Sequence, residues 1–246
     1  MKINAKWFSP RLRQEMQVVR WGVTGQPVLL FPTAGGDAEE CERFLMLKVL
    51  DPLLAAGRIK VYACDSVGGS ALISSKVSAP AKAAVQNQFL QFIRHEMVPA
   101  IYADCGGKPL PIWAAGASIG AYNSVAAVTS FPDVFTRAIA MSGTYDLKRF
   151  LDGFHNEDVH AISPLLNLRY LDPNGEHLAL LRKTFVLLPT GEGKWEDPAE
   201  SWKVANLLGR LGVPNRVDLW GKTYDHDWVT WREMLPKYLD EWTKSA

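Results

Sequence analysis

Seven short apolar runs alternate along the chain with five segments of helical periodicity, and this alternation narrows the possible folds more than any other feature. The runs are Met16 to Trp21, Pro27 to Phe31, Ile59 to Cys64, Pro111 to Ala115, Ala138 to Met141, Thr184 to Leu188 and Arg216 to Trp220. Several lack a polar alternate face, as strands do when helices cover both sides of a parallel sheet. The helical segments fall near Glu39 to Ala56, Ala81 to Ala103, Ser118 to Ser130, Pro198 to Leu211 and Val229 to Lys244. Successive βαβ units and a mostly parallel sheet follow. The first two runs, joined across Gly22 to Gln26, suggest an antiparallel pair at one edge. With no repeat, low-complexity stretch or linker, the 246 residues read as one α/β domain. The stretch 144–174 breaks the alternation and reads either as a lid or substrate wall or as a short helical cover.

Charge and cysteine content remove several functions. Lys+Arg number 27 against 26 Asp+Glu, a formal net charge of +1, so no overall basic field favours nucleic acid or an anionic membrane. No run approaches the length of a membrane span, and Met1 to Phe8 lacks the apolar core of a secretory signal. Cys41, Cys64 and Cys105 are widely spaced with no CxxC pair, which argues for reduced core thiols and a cytoplasmic protein. His155, Asp158 and His160 lie in a polar loop without a fourth ligand at a recognisable spacing, so no metal site is expected. The glycine pairs Gly35-Gly36 and Gly68-Gly69 fit neither nucleotide-binding pattern, and no cofactor is implied.

The chemistry-bearing motif is Gly116-Ala117-Ser118-Ile119-Gly120, a G-x-S-x-G between the apolar strand PIWAA and a helical pattern. A serine on so sharp a strand-to-helix turn is held in strained backbone, and the residues two positions either side must be small for the turn to close. The turn lifts the hydroxyl clear of the sheet and puts it at a helix N-terminus, where free N–H groups favour a developing oxyanion. Ser118 is therefore the candidate nucleophile. The chain order Ser, then Asp or Glu, then His leaves His226 as base, since His95 precedes the serine and His155, His160 and His177 precede the strand that should carry the acid. After that strand come Glu192, Glu196 and Asp197. Asp197 precedes Pro198 and could equally cap the next helix. Glu196 ranks first, Asp197 second and Glu192 third.

At these residues the chain resembles the esterase D-like branch of the α/β-hydrolases, which includes S-formylglutathione hydrolases, feruloyl esterases and mycolyltransferases. The likeness rests on GASIG, on Phe131-Pro132-Asp133-Val134-Phe135 with Ala140-Met141-Ser142-Gly143, on a Val67-Gly68-Gly69-Ser70 loop, and on His226-Asp227-Trp228-Val229-Thr230-Trp231. The resemblance implies an α/β-hydrolase fold and gives Ser118 and His226 the roles of nucleophile and base. The esterase spacing, counted from Gly193, selects Glu196 as acid; the mycolyltransferase spacing selects Asp197. It also implies an oxyanion site at the amides of Ala34, in the Phe31 to Gly36 loop, and Ile119. Trp228 and Trp231, at i and i+3, read as packing for the last helix, whereas Trp195 reads as a substrate-lining residue. The expectation is a serine esterase acting on a small or medium ester without metal or cofactor. An acyltransferase, or a catalytically inactive binding protein on the same fold, is the alternative, and oligomeric state is not legible.

Overall fold

The computed structural model describes residues 1–244. Its strands are β1 (Lys2–Ser9), β2 (Gln14–Trp21), β3 (Gln26–Phe31), β4 (Ile59–Cys64), β5 (Ile112–Ala117), β6 (Phe135–Met141), β7 (Phe185–Thr190) and β8 (Asn215–Leu219). The main helices are α1 (Met46–Ala55), α2 (Val67–Ile73), α3 (Ala79–Phe92), α4 (Ile119–Ser130), α5 (Pro198–Arg210) and α6 (Trp228–Lys244). Among the described residues the strands form one sheet in the order β1-β2-β4-β3-β5-β6-β7-β8. It is parallel from β4 to β8, and β1 and β2 are antiparallel. No helix among these residues is long and apolar enough to cross a membrane.

Strand periodicity sorts the core into two layers. Leu29, Phe31, Ala114, Ala138 and Leu188 face one side, where Phe89 of α3, Tyr122 and Val125 of α4 and Leu208 of α5 pack on them. Val28, Leu30, Trp113, Ala115, Ile139 and Leu187 face the other, against Leu50 of α1 and Trp231, Leu235, Tyr238 and Trp242 of α6. Burial on both faces is why these runs read as nearly continuous apolar stretches.

Three expectations are corrected. The antiparallel pair across Gly22 to Gln26 does not form: β2 pairs with β1 and β4, while β3 lies between β4 and β5. The connection crosses the start of β4, and a Cβ on Gly25 (φ +109°) would stand 2.5 Å from the Arg58 carbonyl carbon. β3 is buried on both faces, so it takes partners at both edges rather than serving as one. β1, mostly exposed, gave no hydrophobic signal. The Val67 to Ser70 segment is the start of α2 rather than a loop; its glycines are required because the Gln86 side chain and the Ala34 carbonyl close on them.

The 144–174 stretch folds into short helical turns, Lys148–Leu151, Glu157–Ile162, Pro164–Asn167 and Leu168–Tyr170. They enclose a cavity of about 320 Å³ walled by Leu147, Leu151, Phe154, Val159, Leu165 and Leu166. The insert is tied down by Tyr122 Oη donating to the Ile162 carbonyl (2.8 Å) and Lys82 to the Phe150 carbonyl (2.9 Å). Its entry is held by the buried Glu200 carboxylate, which accepts the Tyr145 and Asp146 amides at 2.6 and 2.8 Å. Burial alone would push the Glu200 carboxyl up, but the Lys203 ammonium and those two amides hold it below its ordinary value. A depressed carboxyl contributes stability that is present above its unfolded pKa and lost as pH falls through the folded one. Unfolding free energy of Glu200→Gln, measured in urea, should therefore decline less steeply than that of wild type as pH drops below about 4.5.

Candidate active site

The carboxyl ends of β3, β5, β6 and β7 meet where ligands bind in open α/β sheets. Ser118 sits at the β5-to-α4 turn with φ +57° and ψ −119°, a region that side chains avoid. Its amide donates to Met141 of β6 at 3.0 Å. The flanking glycines explain how the turn closes. A Cβ on Gly116 would stand 2.4 Å from the Gly120 carbonyl group, and one on Gly120 would stand 2.5 Å from the Phe31 oxygen and 2.7 Å from that of Pro32. Backbone therefore packs on backbone, and the loop after β3 is drawn up to the elbow.

That loop carries Ala34. Its turn is closed by Gly36 N–H donating to Thr33 O (3.1 Å), and it is clamped by the buried Glu40, which accepts Thr33 N–H at 2.7 Å and Thr33 Oγ1–H at 2.6 Å. Gly36 lies against that carboxylate with no room for a Cβ. Ile119 is the first residue of α4, so its amide has no acceptor within the helix. Glu40 was not singled out from the sequence, since an acidic residue opening a helix reads as a solvated charge.

His226 and Glu196 are brought together by two interlocked loops. Backbone bonds join Gly193 N–H to Tyr224 O (3.0 Å), His226 N–H to Lys194 O (2.9 Å) and Glu192 N–H to Gly221 O (3.0 Å), and Lys194 N–H donates to Asp225 Oδ1 (2.6 Å). Gly191 and Gly193 let the strands of this zip approach, since a Cβ at either would meet Tyr224 or Asp225. Trp195, at φ +68°, occupies the third position of the turn closed by Glu196 N–H to Gly193 O (3.3 Å), so Glu196 turns inward and Trp195 outward. The Glu196 side chain is 1% exposed and the His226 side chain 23%, with His226 Nδ1 3.8 Å from Glu196 Oε1. Thr190 Oγ1 donates to Glu196 Oε2 (3.0 Å) and Ser142 Oγ to Oε1 (2.5 Å).

The remaining candidates lie apart. Asp197 accepts the Ala199 amide at 3.1 Å and caps α5, so its carboxylate serves the helix and not His226. Glu192 is exposed. Trp195 is 80% exposed rather than walling an enclosed pocket, and lies with His226 and Thr230 around an open depression of about 440 Å³. Ser118 Oγ forms no hydrogen bond to the imidazole. Trp231 packs the last helix as expected, but its indole also donates to Ser142 Oγ (3.0 Å) and its ring stands edge-on to His226 at 5.1 Å. Nothing in the sequence pattern places Ser142, Thr190 or Trp231 in the site. Asp197→Ala should lower the unfolding free energy by about 0.5–2 kcal/mol through the lost cap, and Gly120→Ala by about 1–3 kcal/mol through overpacking against backbone. Urea titration checks both.

The family model described as "Putative esterase" matches residues 74–241, which take in Ser118, Glu196 and His226. No match is found among curated protein sequences. Among solved structures, a ferulic acid esterase superposes with a TM-score of 0.75 at 17% identity, covering 99% of this chain and 98% of its own. The S-formylglutathione hydrolase of Agrobacterium tumefaciens gives 0.73 at 12% identity, with 99% and 95% covered. The fluorophosphonate-binding serine hydrolase F of Staphylococcus aureus gives 0.63 at 16% identity, with 99% and 98% covered. At these identities the likeness is one of fold, the α/β-hydrolase fold. With the family model spanning more than half its length, the chain belongs to this esterase family.

Proposed function

We propose that the chain is a serine carboxylic-ester hydrolase working through an acyl-enzyme, with Ser118 as nucleophile, His226 as base and Glu196 as acid. The observation that carries this reading is the strained Ser118 turn, which exposes a hydroxyl at a helix N-terminus beside a loop that brings up Ala34. The choice of Glu196 over Asp197 is supported by where the two carboxylates point: one toward His226 Nδ1, the other into a helix cap.

His226 Nε2 takes the Ser118 proton as Oγ attacks the ester carbonyl carbon, and the carbonyl oxygen becomes an oxyanion that the Ala34 and Ile119 amides stabilise. Collapse breaks the bond to the alkoxy oxygen, which receives the proton from His226 and leaves as the alcohol. Water, deprotonated by His226, then attacks the acyl-serine, and the second collapse returns the proton to Oγ and releases the acid. Glu196 fixes the imidazole tautomer and stabilises the imidazolium. The serine–imidazole contact, open in the free enzyme, closes as substrate binds. The depression bordered by His226 and Trp195 suits the alcohol, which His226 must protonate. The cavity within the insert, where Leu147, Leu151, Phe154 and Leu165 stand beside Asp146 and Arg169, is the candidate site for a medium acyl chain.

Hydrolysis of p-nitrophenyl esters of graded chain length tests this reading. Ser118→Ala should abolish turnover, Glu196→Gln should lower kcat by about 10²–10⁴-fold, and Asp197→Ala should leave kcat within about twofold. Retained activity in Ser118→Ala, or no turnover of any ester, contradicts the reading. Filling the insert cavity with Leu151→Trp should raise KM for long acyl chains while sparing acetate esters; equal effects on both remove the cavity from substrate binding.

A further inference from the structure

Glu196 does not meet His226 alone. Its Oε1 already accepts the Ser142 hydroxyl at 2.5 Å, and Ser142 Oγ in turn accepts the Trp231 indole N–H at 3.0 Å. Trp231, buried in the first turns of α6, lays its ring edge-on to the His226 imidazole at 5.1 Å and 86°. Four side chains thus form a closed ring in space: His226, Glu196, Ser142, Trp231 and back to His226.

The polarity of this ring is fixed by chemistry. An indole nitrogen only donates and a carboxylate only accepts. The Ser142 hydroxyl therefore receives the indole N–H on a lone pair and must turn its one proton to Glu196. That bond, with the one from Thr190 to Oε2, locks the carboxylate's rotation at both oxygens. Ser142 also holds this place against its backbone preference. Its φ is +49°, a region glycine enters freely and serine does not, and its amide is tied to Pro189 O of β7 at 2.8 Å. A strained serine whose buried hydroxyl has both its bonds aimed at one carboxylate and one indole points to a functional constraint.

We propose that Ser142 and Trp231 are positioning residues for the Glu196–His226 pair: the indole orients the Ser142 hydroxyl, the hydroxyl fixes the carboxylate, and the indole ring limits the swing of the imidazole. The proposal rests on the serine-hydrolase reading above. It makes the second tryptophan of the H-x-W-x-x-W run more than helix packing.

Ser142→Gly separates positioning from structure, because glycine relieves the left-handed backbone while deleting the hydroxyl. Relief of the left-handed backbone offsets part of the cost of leaving the Trp231 indole and Glu196 Oε1 unpaired, so the variant should stay folded at the assay temperature, which its melting curve checks. Its kcat on a short-chain p-nitrophenyl ester should nonetheless fall by about tenfold or more, with KM within about twofold. Trp231→Phe keeps a ring against His226 but removes the N–H, and should lower kcat in the same way. The double variant should be no slower than Ser142→Gly alone, since both act through one bond. Wild-type or higher kcat in Ser142→Gly, or fully additive losses in the double variant, overturns the proposal. If Ser142→Gly unfolds, wild-type kcat in Trp231→Phe still overturns it. The same assay includes Ser118→Ala: turnover that survives there defeats the underlying reading, whereas Ser118-dependent turnover with an unaffected Ser142→Gly defeats only the positioning role.

Discussion

The close packing of backbone on backbone at the β5–α4 turn sets the geometry of everything around it. Holding Ser118 at φ +57° costs on the order of 1–3 kcal/mol, and the surrounding structure must over-determine that conformation for it to persist. It does so from three sides. Gly116 and Gly120 close the turn, the Phe31 and Pro32 carbonyls press on Gly120 from β3, and Met141 of β6 accepts the Ser118 amide. Because β5 lies between β3 and β6 in the sheet, the elbow can exist only where the parallel sheet is complete on both sides. The middle strands are accordingly buried on both faces, and the more exposed ones, β1 and β8, stand at the edges.

The histidine arm is organised differently. His226 and Glu196 come from loops separated by all of α5 and β8, so no single element fixes their relation. Interlocked backbone bonds do so, from Glu192 to Lys194 on one loop and from Gly221 to His226 on the other. Glycines at 191 and 193 allow the approach, and the left-handed Trp195 aims Glu196 inward. A carboxylate 1% exposed is costly unless it is hydrogen-bonded, and the Thr190 and Ser142 hydroxyls supply those bonds. The side chains around Glu196 therefore satisfy burial and orient the carboxylate together.

Much of this was legible in the sequence, and the failures have physical causes. The middle strands, the five longer helical segments and the Ser118 elbow announced themselves because apolar periodicity and the small-residue spacing are both local signals, whereas α2 reads as a loop in the sequence. Glu196 could be favoured but not separated from Asp197, since both follow the strand at workable distances; only the Ala199 amide bound to Asp197 assigns it to the cap. Ser142, Glu40 and Thr190 went unassigned because an isolated hydroxyl or carboxylate gains meaning only from a partner 6 to 54 residues away. The supposed antiparallel pair around Gly22 to Gln26 failed because adjacency in sequence is a weak guide to pairing when both strands seek the same buried neighbour, β4. β1 was missed because an exposed edge strand carries no apolar signature.

The central claim is that Ser118 is an activated nucleophile, and the most direct test is labelling with a fluorophosphonate probe read by intact mass. The account expects one adduct on the wild-type protein, absent in Ser118→Ala and formed much more slowly in His226→Ala. Folded wild-type protein that takes no adduct, or an adduct that persists in Ser118→Ala, would contradict it.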